Sequence, residues 1–288
     1  MIVGVNSDYF TLAVSTSVEG VAEGGEMAEM FVNAIGYEQL MGRWSARLAP
    51  LYADFAGLGD IGRILDVGCG TGALVRTITG MTCRSEIVGV DPAQSFVDYA
   101  RTQSDDPRVT FRVGDAMQLP FPAASFDQTL SLLVMMFIPE PEKAAGEMRR
   151  VTRPGGTVSA CTWDRDGLEL SSIFWEEAVR LDPGADARSQ RPKHSNREGQ
   201  LATLWHSAGL QDVKETVITM QLPLASFNDF WEPHLKGVAP QGAYVATLSE
   251  ERREALRQGL RKRLLTDRPD GAFSLRAKAL AVRGTVPR

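Results

Sequence analysis

Short apolar runs and longer amphipathic stretches alternate along the middle of the chain. Five runs rich in β-branched residues predict strands: Arg63–Val67, Glu86–Val90, Arg108–Val113, Phe126–Val134 and Thr157–Trp163. Helical spacing predicts helices between them: Gly72–Thr79, Pro92–Arg101 and Pro139–Val151. Strands that alternate with helices in this way form a mostly parallel sheet with helices on both faces, so the fold class is α/β.

The pattern changes on either side of this alternating region. Residues 1–26 show no period and are expected to be a loose leader, whereas residues 27–60 are expected to form N-terminal helices. Residues 61–163 are the predicted core, and residues 164–288 complete the sheet with insertions at about 164–197 and 223–248. In this last part we predict these elements: helices Ser171–Leu181, Glu198–Ala208 and Ser249–Leu265, strands Val213–Leu222 and Phe273–Val282, and an irregular, aromatic stretch Pro223–Leu248.

Composition excludes several classes of protein. The 288 residues carry a formal net charge of −5, whereas nucleic-acid-binding domains are usually basic, so no nucleic acid partner is expected. The three cysteines have no C-x-x-C spacing, which argues against a disulfide framework and a metal site and favours a reducing, cytoplasmic setting. No apolar run is long enough for a membrane span, and the first residues lack the basic segment of a signal peptide.

Three carboxylates follow three of the predicted strands. Asp66 ends the first strand, Asp91 ends the second and Asp115 follows the third. Ligands of open parallel sheets bind beyond the carboxyl ends of the strands. The glycine-rich run Gly68–Gly72 starts two residues after Asp66, and glycines allow a tight turn and a close backbone approach to a ligand. We therefore expect a ligand site at this edge of the sheet.

Two ligands fit the glycine-rich run. Gly68, Gly70 and Ala73 satisfy the G-x-G-x-x-G/A pattern of a dinucleotide site, with Asp91 at the interval of a ribose carboxylate. However, Asp66 would repel a pyrophosphate, and residues 64–75 contain no Lys or Arg. S-adenosylmethionine (SAM) carries a sulfonium and an ammonium and no phosphate, so the negative side chains favour SAM as the cofactor.

The same residues resemble a known family. The resemblance rests on five segments: Ile64–Leu74, Val88–Pro92, Gly114–Phe121, Phe126–Ser131 and Glu147–Gly156. Together they are similar to the class I SAM-dependent methyltransferases, in the small-molecule branch known as type 11. The resemblance implies a Rossmann-like, seven-stranded, mostly parallel sheet whose last strand, Phe273–Val282, runs antiparallel. The aromatic residues of the two insertions are expected to add a helical and aromatic lid.

Specific residues are then expected to hold the cofactor. They are Tyr37, Arg43, Asp66, Gly68, Cys69, Gly70, Thr71, Gly72, Asp91, Pro92, Asp115, Ala116, Met117 and Ser131. Asp91 would accept from the ribose hydroxyls and Asp115 from the adenine amino group, while Tyr37 and Arg43 would close over the cofactor from the N-terminal helices. The stretch after Ser131 is apolar, where many members of the family carry a polar residue.

The expected reaction is an in-line transfer of a methyl group to a small, apolar or aromatic molecule. Among the histidines, His234 is the best candidate for a general base, because it lies in the aromatic insertion, whereas His194 and His206 are expected to be solvated. Two alternatives stay open: an NAD(P)-dependent oxidoreductase and a SAM-binding protein without catalytic activity. The identity of the methyl acceptor and the atom methylated are also open.

Overall fold

The computed structural model describes residues 38–60, 62–185, 196–237, 239–266 and 268–288. The expected leader, Tyr37 and His194 lie outside these residues, as does the first part of the expected N-terminal helices. The division into an N-terminal, a core and a C-terminal part therefore stays a prediction.

In the described part of the chain, seven strands form one sheet in the order β3-β2-β1-β4-β5-β7-β6. The strands are β1 Arg63–Val67, β2 Glu86–Asp91, β3 Val109–Val113, β4 Phe126–Leu132, β5 Thr152–Leu168, β6 Gln211–Leu224 and β7 Phe273–Thr285. Strands β1 to β5 pair in parallel, whereas β7 lies antiparallel between β5 and β6. The expected Rossmann-like fold with an antiparallel last strand is confirmed.

Helices cover both faces of this sheet. They are α1 Arg43–Ala56, α2 Ala73–Met81, α3 Gln94–Thr102, α4 Pro141–Val151, α5 Glu169–Leu181, α6 Gln200–Ser207, α7 Phe227–Trp231, α8 Ala239–Ala246 and α9 Glu250–Leu265. Helices α1, α2, α3 and α5 contribute to one apolar core, whereas α4 and α6 pack with the opposite face in a second core. Strand β2 is buried between these layers from Ile87 onwards, which explains its continuous apolar run Ile87–Val90.

Two predictions about individual elements are wrong. Strand β5 begins at Thr152 rather than Thr157, since Thr152 pairs with Phe126 of β4 and the Gly155 N–H donates to the Val286 carbonyl (2.9 Å). Residues 223–248, here called the lid segment, are mostly helical rather than irregular. Ser226 starts α7 as an N-cap whose hydroxyl accepts from the Asp229 N–H, a cap that satisfies one of the free donors of the first turn.

Helix α1 runs antiparallel to the strands beneath it. The Tyr52 hydroxyl is 2.8 Å from that of Ser159 on β5, and five residues later the Gly57 carbonyl accepts from Gln128 near the start of β4. The helix therefore begins over the carboxyl edge of the sheet and ends over the amino edge. No helix in the described ranges is long and apolar enough to cross a membrane.

Candidate functional site

The glycine-rich loop after β1 is held by the end of β2. The Gly68 and Cys69 N–H groups both donate to the Val90 carbonyl, at 2.7 and 3.0 Å. The Asp91 carboxylate accepts from the Gly70 N–H through Oδ2 and from the Ala93 N–H through Oδ1, each at 2.9 Å. Asp91 is buried, and this burial raises its pKa, while the two N–H groups oppose the rise. Asp91 thus fixes the loop and retains unused lone pairs towards the edge of the sheet.

Gly68 occupies a position that only glycine fills without strain. Its φ is +73°, and a Cβ built there would overlap the methyl groups of Val134, in the segment after β4. The backbone of the loop therefore lies directly against this segment. The glycine is required both by its φ and by this close approach.

Gly68→Ala is expected to lower stability by about 2 kcal/mol or more and to weaken SAM binding, because the added methyl displaces Val134 and the φ is unfavourable. Thermal unfolding and calorimetric titration measure both effects. Gly80→Ala is the control, since Gly80 lies on the exposed side of α2 with nothing within 4 Å of its added Cβ. An equal loss in both variants would contradict the prediction.

Asp66 is the unusual group of the site. Its side chain is 1% exposed, and neither carboxyl oxygen has a hydrogen-bond partner among the described residues. Burial, and secondarily the charge of Asp91, raises the pKa of Asp66 to about 8. Buried polar atoms are nearly always hydrogen-bonded, so an orphaned carboxyl at a strand end indicates a group that a ligand completes.

Asp66 faces a small cavity at the carboxyl edge. The cavity has a volume of about 50 Å³ and is lined by Ser45, Asp66, Gly68, Cys69, Gly70, Thr71, Ala73, Leu74, Leu132, Leu133 and Val134. The sequence did not predict Ser45, Leu133 and Val134 as site residues. Ser45 lies in an amphipathic helix and the other two in an apolar run, and neither pattern indicates a binding role. The Cys69 thiol is buried and its pKa is raised well above the usual range, which agrees with a small filling side chain.

The N-terminal segment reaches the loop through Glu38, which the sequence did not indicate. The Thr71 hydroxyl donates to Glu38 Oε2 at 2.6 Å, and Arg76 Nη2 lies 3.6 Å from Glu38 Oε1. Arg76 Nη1 also donates to the Thr71 carbonyl at 2.7 Å. The sequence of residues 64–75 suggested a loop without cations, but the Arg76 guanidinium reaches it. Side chains in the first turn of a helix point back towards the helix N-terminus. Glu38 offsets this charge.

The residues expected to hold the adenine lie one strand further along the edge. Asp115 is exposed and accepts from the Met117 N–H at 2.8 Å, whereas Ala116 is buried and Met117 half-buried. Pro92 is exposed at the start of the turn that leads into α3. Ser131 is fully buried, and its hydroxyl donates to the Val67 carbonyl (2.9 Å), so it joins β4 to β1 instead of lining the cavity.

Arg43 and His234 lie at the lid segment. Arg43 Nη1 donates to Asp229 Oδ1 at 2.6 Å, so the structure places this guanidinium on α7 and not on the glycine-rich loop.

His234 is 1% exposed, and its Nδ1 lies 2.9 Å from the Phe230 carbonyl. Burial lowers the pKa of His234 to about 4. A base of such low pKa is a weak proton acceptor at neutral pH, which argues against the predicted general base and for a neutral hydrogen-bonding group. His206 is exposed.

A larger cleft of about 710 Å³ lies elsewhere among the described residues. It is lined by charged side chains of β5, β7 and the segment before α6, including Asp164, Arg197 and Lys278. It shares no residue with the cavity at Asp66. Ligand sites of open α/β sheets occur where the glycine-rich loop is, so the smaller cavity is the candidate site.

Sequence comparison identifies a family for the middle of the chain. Residues 65–160 match the family described as "Methyltransferase domain". A segment of 121 residues is 32% identical to an uncharacterised methyltransferase of Schizosaccharomyces pombe and covers 36% of this chain and 44% of that protein. A segment of 119 residues is 36% identical to a 2-methyl-6-phytyl-1,4-hydroquinone methyltransferase of Synechocystis and covers 40% and 37% of the two chains. The matches therefore span less than half the length of these relatives.

A solved structure supports the fold over a longer range. Phosphoethanolamine N-methyltransferase 2 of Haemonchus contortus, in complex with S-adenosyl-L-methionine, superposes with a TM-score of 0.56. The match covers 90% of this chain and 57% of that one at 20% sequence identity. At this identity the likeness concerns the fold alone.

Proposed function

We infer, from the premise that residues 65–160 are a class I methyltransferase domain of the type 11 branch, that this chain is a SAM-dependent methyltransferase. The acceptor we propose is a small, apolar or aromatic molecule. The observation that carries the proposal is the buried Asp66 carboxyl, whose two oxygens have no partner in the described part of the chain. SAM, when bound, supplies a methyl group already activated by a sulfonium.

The residues at the edge of the sheet fit this cofactor. Asp66 would pair with its ammonium group, and Asp91 would use its remaining lone pairs for the ribose hydroxyls. Asp115, with Ala116 and Met117, would take the adenine, while the backbone of Gly68–Gly72 allows close approach. The cavity of about 50 Å³ holds a few water molecules and not a nucleoside, so the surrounding segments must separate during uptake.

The chain's own contribution to the reaction is orientation and the exclusion of water. Leu132, Leu133 and Val134 form an apolar wall of the cavity. Leu133 has a φ of +63°, a strained conformation for a leucine, held by its N–H donating to the Cys161 carbonyl at 2.7 Å. The lid segment contains the aromatic rings of Phe230 and Trp231, which are buried outside this cavity. An apolar or aromatic acceptor suits these walls, as does the hydroquinone named for the Synechocystis relative.

SAM at about a hundred times its dissociation constant should stabilise the folded chain by about 2.7 kcal/mol and raise its melting temperature. NAD and NADP should leave it unchanged above pH 8, where the Asp66 carboxyl is charged and disfavours a pyrophosphate. A melting shift with NAD or NADP alone would support the oxidoreductase instead. Release of S-adenosylhomocysteine in a screen of small aromatic acceptors distinguishes an enzyme from a protein that only binds SAM.

We also propose a cytoplasmic location and no nucleic acid partner. The cysteines are free, with Cys69 and Cys161 buried and Cys83 exposed, which suits a reducing compartment. The net charge of −5 disfavours a polyanionic partner.

A further inference from the structure

Three buried nitrogens near the carboxyl edge have no hydrogen-bond partner among the described residues: Trp44 Nε1, Trp163 Nε1 and His234 Nε2. Their side chains are 1%, 6% and 1% exposed. Leaving a buried donor or acceptor unpaired costs about 1–3 kcal/mol, so each such atom requires an explanation.

Strand register places Trp163 on the same face of the sheet as Asp66, two strands away and further towards the carboxyl edge. Asp66 pairs with Leu130 of β4, and Leu130 pairs with Ser159 of β5. Trp163 is four residues further along β5 on the same face, which is about 13 Å towards and beyond the carboxyl edge at about 3.3 Å per residue. The indole therefore lies on the α1 side of the sheet, beyond the cavity at Asp66.

Helix α1 places Trp44 about as far towards the carboxyl edge as Trp163. Tyr52 is hydrogen-bonded to Ser159 (2.8 Å), and Trp44 precedes Tyr52 by two turns, about 12 Å along an antiparallel helix. Trp44 and Trp163 both belong to the apolar core on this face. Ser45, the residue after Trp44, lines the cavity at Asp66. Both indoles thus belong to the α1 face of the sheet, towards its carboxyl edge.

His234 approaches this region from the lid segment. Its turn, Glu232–Lys236, packs on Glu38–Gly42, which immediately precedes α1. Its ring stacks on Phe174 with 4.9 Å between centroids and 4° between planes. Nδ1 donates its proton to the Phe230 carbonyl at 2.9 Å, so Nε2 of the neutral ring is left as an acceptor. Its lowered pKa, about 4, keeps the ring neutral.

We propose that Trp44, Trp163 and His234 form the polar part of the acceptor-binding site, and that the acceptor is an apolar, aromatic molecule with a hydroxyl group. A hydroxyl has one donor and two acceptor lone pairs, which complements two indole N–H donors and one imidazole lone pair. This inference rests on the proposed function. In this site His234 Nε2 accepts a hydrogen bond from the hydroxyl of the acceptor molecule, and the two indole N–H groups donate to the hydroxyl oxygen.

The test compares two probes that differ only in this group, 2-naphthol and its methyl ether 2-methoxynaphthalene. Each is titrated into the full chain with S-adenosylhomocysteine bound. A site that hydrogen-bonds a hydroxyl rejects the analogue without a donor, so 2-naphthol is expected to bind at least about tenfold more tightly. Binding of neither probe, or equal binding of both, would overturn the proposal without the use of any variant.

Variants identify the groups responsible. His234→Phe retains a ring that stacks on Phe174 but has no acceptor, so the preference for 2-naphthol is expected to fall below about threefold. Trp163→Phe should reduce it similarly. Trp205→Phe is the matched control, because its indole N–H already donates to the Val158 carbonyl (2.9 Å) in the opposite core, and the preference should persist. A preference kept in both His234→Phe and Trp163→Phe would refute the assignment.

SAM uptake, measured on the same samples, separates the two proposals. If the wild-type chain takes up no SAM, the proposed function fails. If it takes up SAM but shows no preference for the hydroxyl, only the acceptor site fails. His234→Phe and Trp163→Phe are expected to bind SAM as the wild type does, which also shows that they fold.

Discussion

Asp91→Ala is expected to lower the affinity for SAM by about a hundredfold or more. Asp91 Oδ2 fixes the glycine-rich loop through the Gly70 N–H, and Oδ1 fixes the start of the next helix through the Ala93 N–H, each at 2.9 Å. The same carboxylate is the proposed partner of the ribose. Hydrogen bonds to a charged group contribute about 1.5–3 kcal/mol each, so loss of the ribose contacts together with the loop geometry exceeds a hundredfold, about 2.7 kcal/mol.

Isothermal titration calorimetry with SAM measures this change. Asp98→Ala is the matched control, since it removes the same charge from the exposed side of α3, where Asp98 pairs with Arg101 at 2.9 Å. We expect the control to bind SAM within about twofold of the wild type. If Asp91→Ala also bound SAM within about threefold of the wild type, the assignment of the edge carboxylates to the cofactor would be wrong.

Asp66→Asn is expected to stabilise the chain without ligand at alkaline pH while it weakens SAM binding. The pKa of Asp66 is about 8 in the folded chain, against an ordinary value of about 3.9 in the unfolded chain. Between these values the folded state holds a proton that the unfolded state has lost. The free energy of unfolding therefore falls as pH rises from about 4 to 8, by up to about 1.4 kcal/mol per pH unit. Asparagine stays neutral and removes this dependence.

Binding of SAM should show the opposite pH dependence. Below pH 8 the Asp66 carboxyl must release its proton before it can pair with an ammonium group, so affinity rises by up to about tenfold per pH unit from pH 6 to 7. Calorimetry in buffers of different ionisation enthalpy counts the proton released. Asp66→Asn should bind more weakly and without this pH dependence, and calorimetric melting at pH 5 and 8 tests its stability. Equal pH slopes for Asp66→Asn and the wild type would contradict both expectations.

The two variants differ because the two carboxylates occupy different environments. Asp91 is held by backbone N–H groups, so its charge is partly compensated without a ligand. Asp66 has no hydrogen-bond partner among the described residues and lies near the charge of Asp91, so its own charge awaits compensation by a cation. The sequence placed both residues at the edge of the sheet but could not show this difference.

Local pattern was sufficient where strands are buried on both faces. The apolar runs at β1 and β2 and the acidic residues that end them predicted these strands and the site at their carboxyl ends. The pattern was insufficient at β5, whose first residue, Thr152, pairs with Phe126 of β4, while the Gly155 N–H donates to the Val286 carbonyl (2.9 Å). It also missed the lid helices, since short helices depend on caps and tertiary packing more than on periodicity.

By itself, the sequence determined the α/β core, the glycine-rich loop and the identity of the acidic residues along the edge, because each depends on periodicity or on residues a few positions apart. Tertiary structure alone decided that Glu38 and Arg76 reach this loop, that Arg43 binds Asp229, and that Trp44, Trp163 and His234 have buried nitrogens without a partner among the described residues. The reason is physical: burial and hydrogen-bond satisfaction are set by neighbours that the folded chain brings from far apart in the sequence.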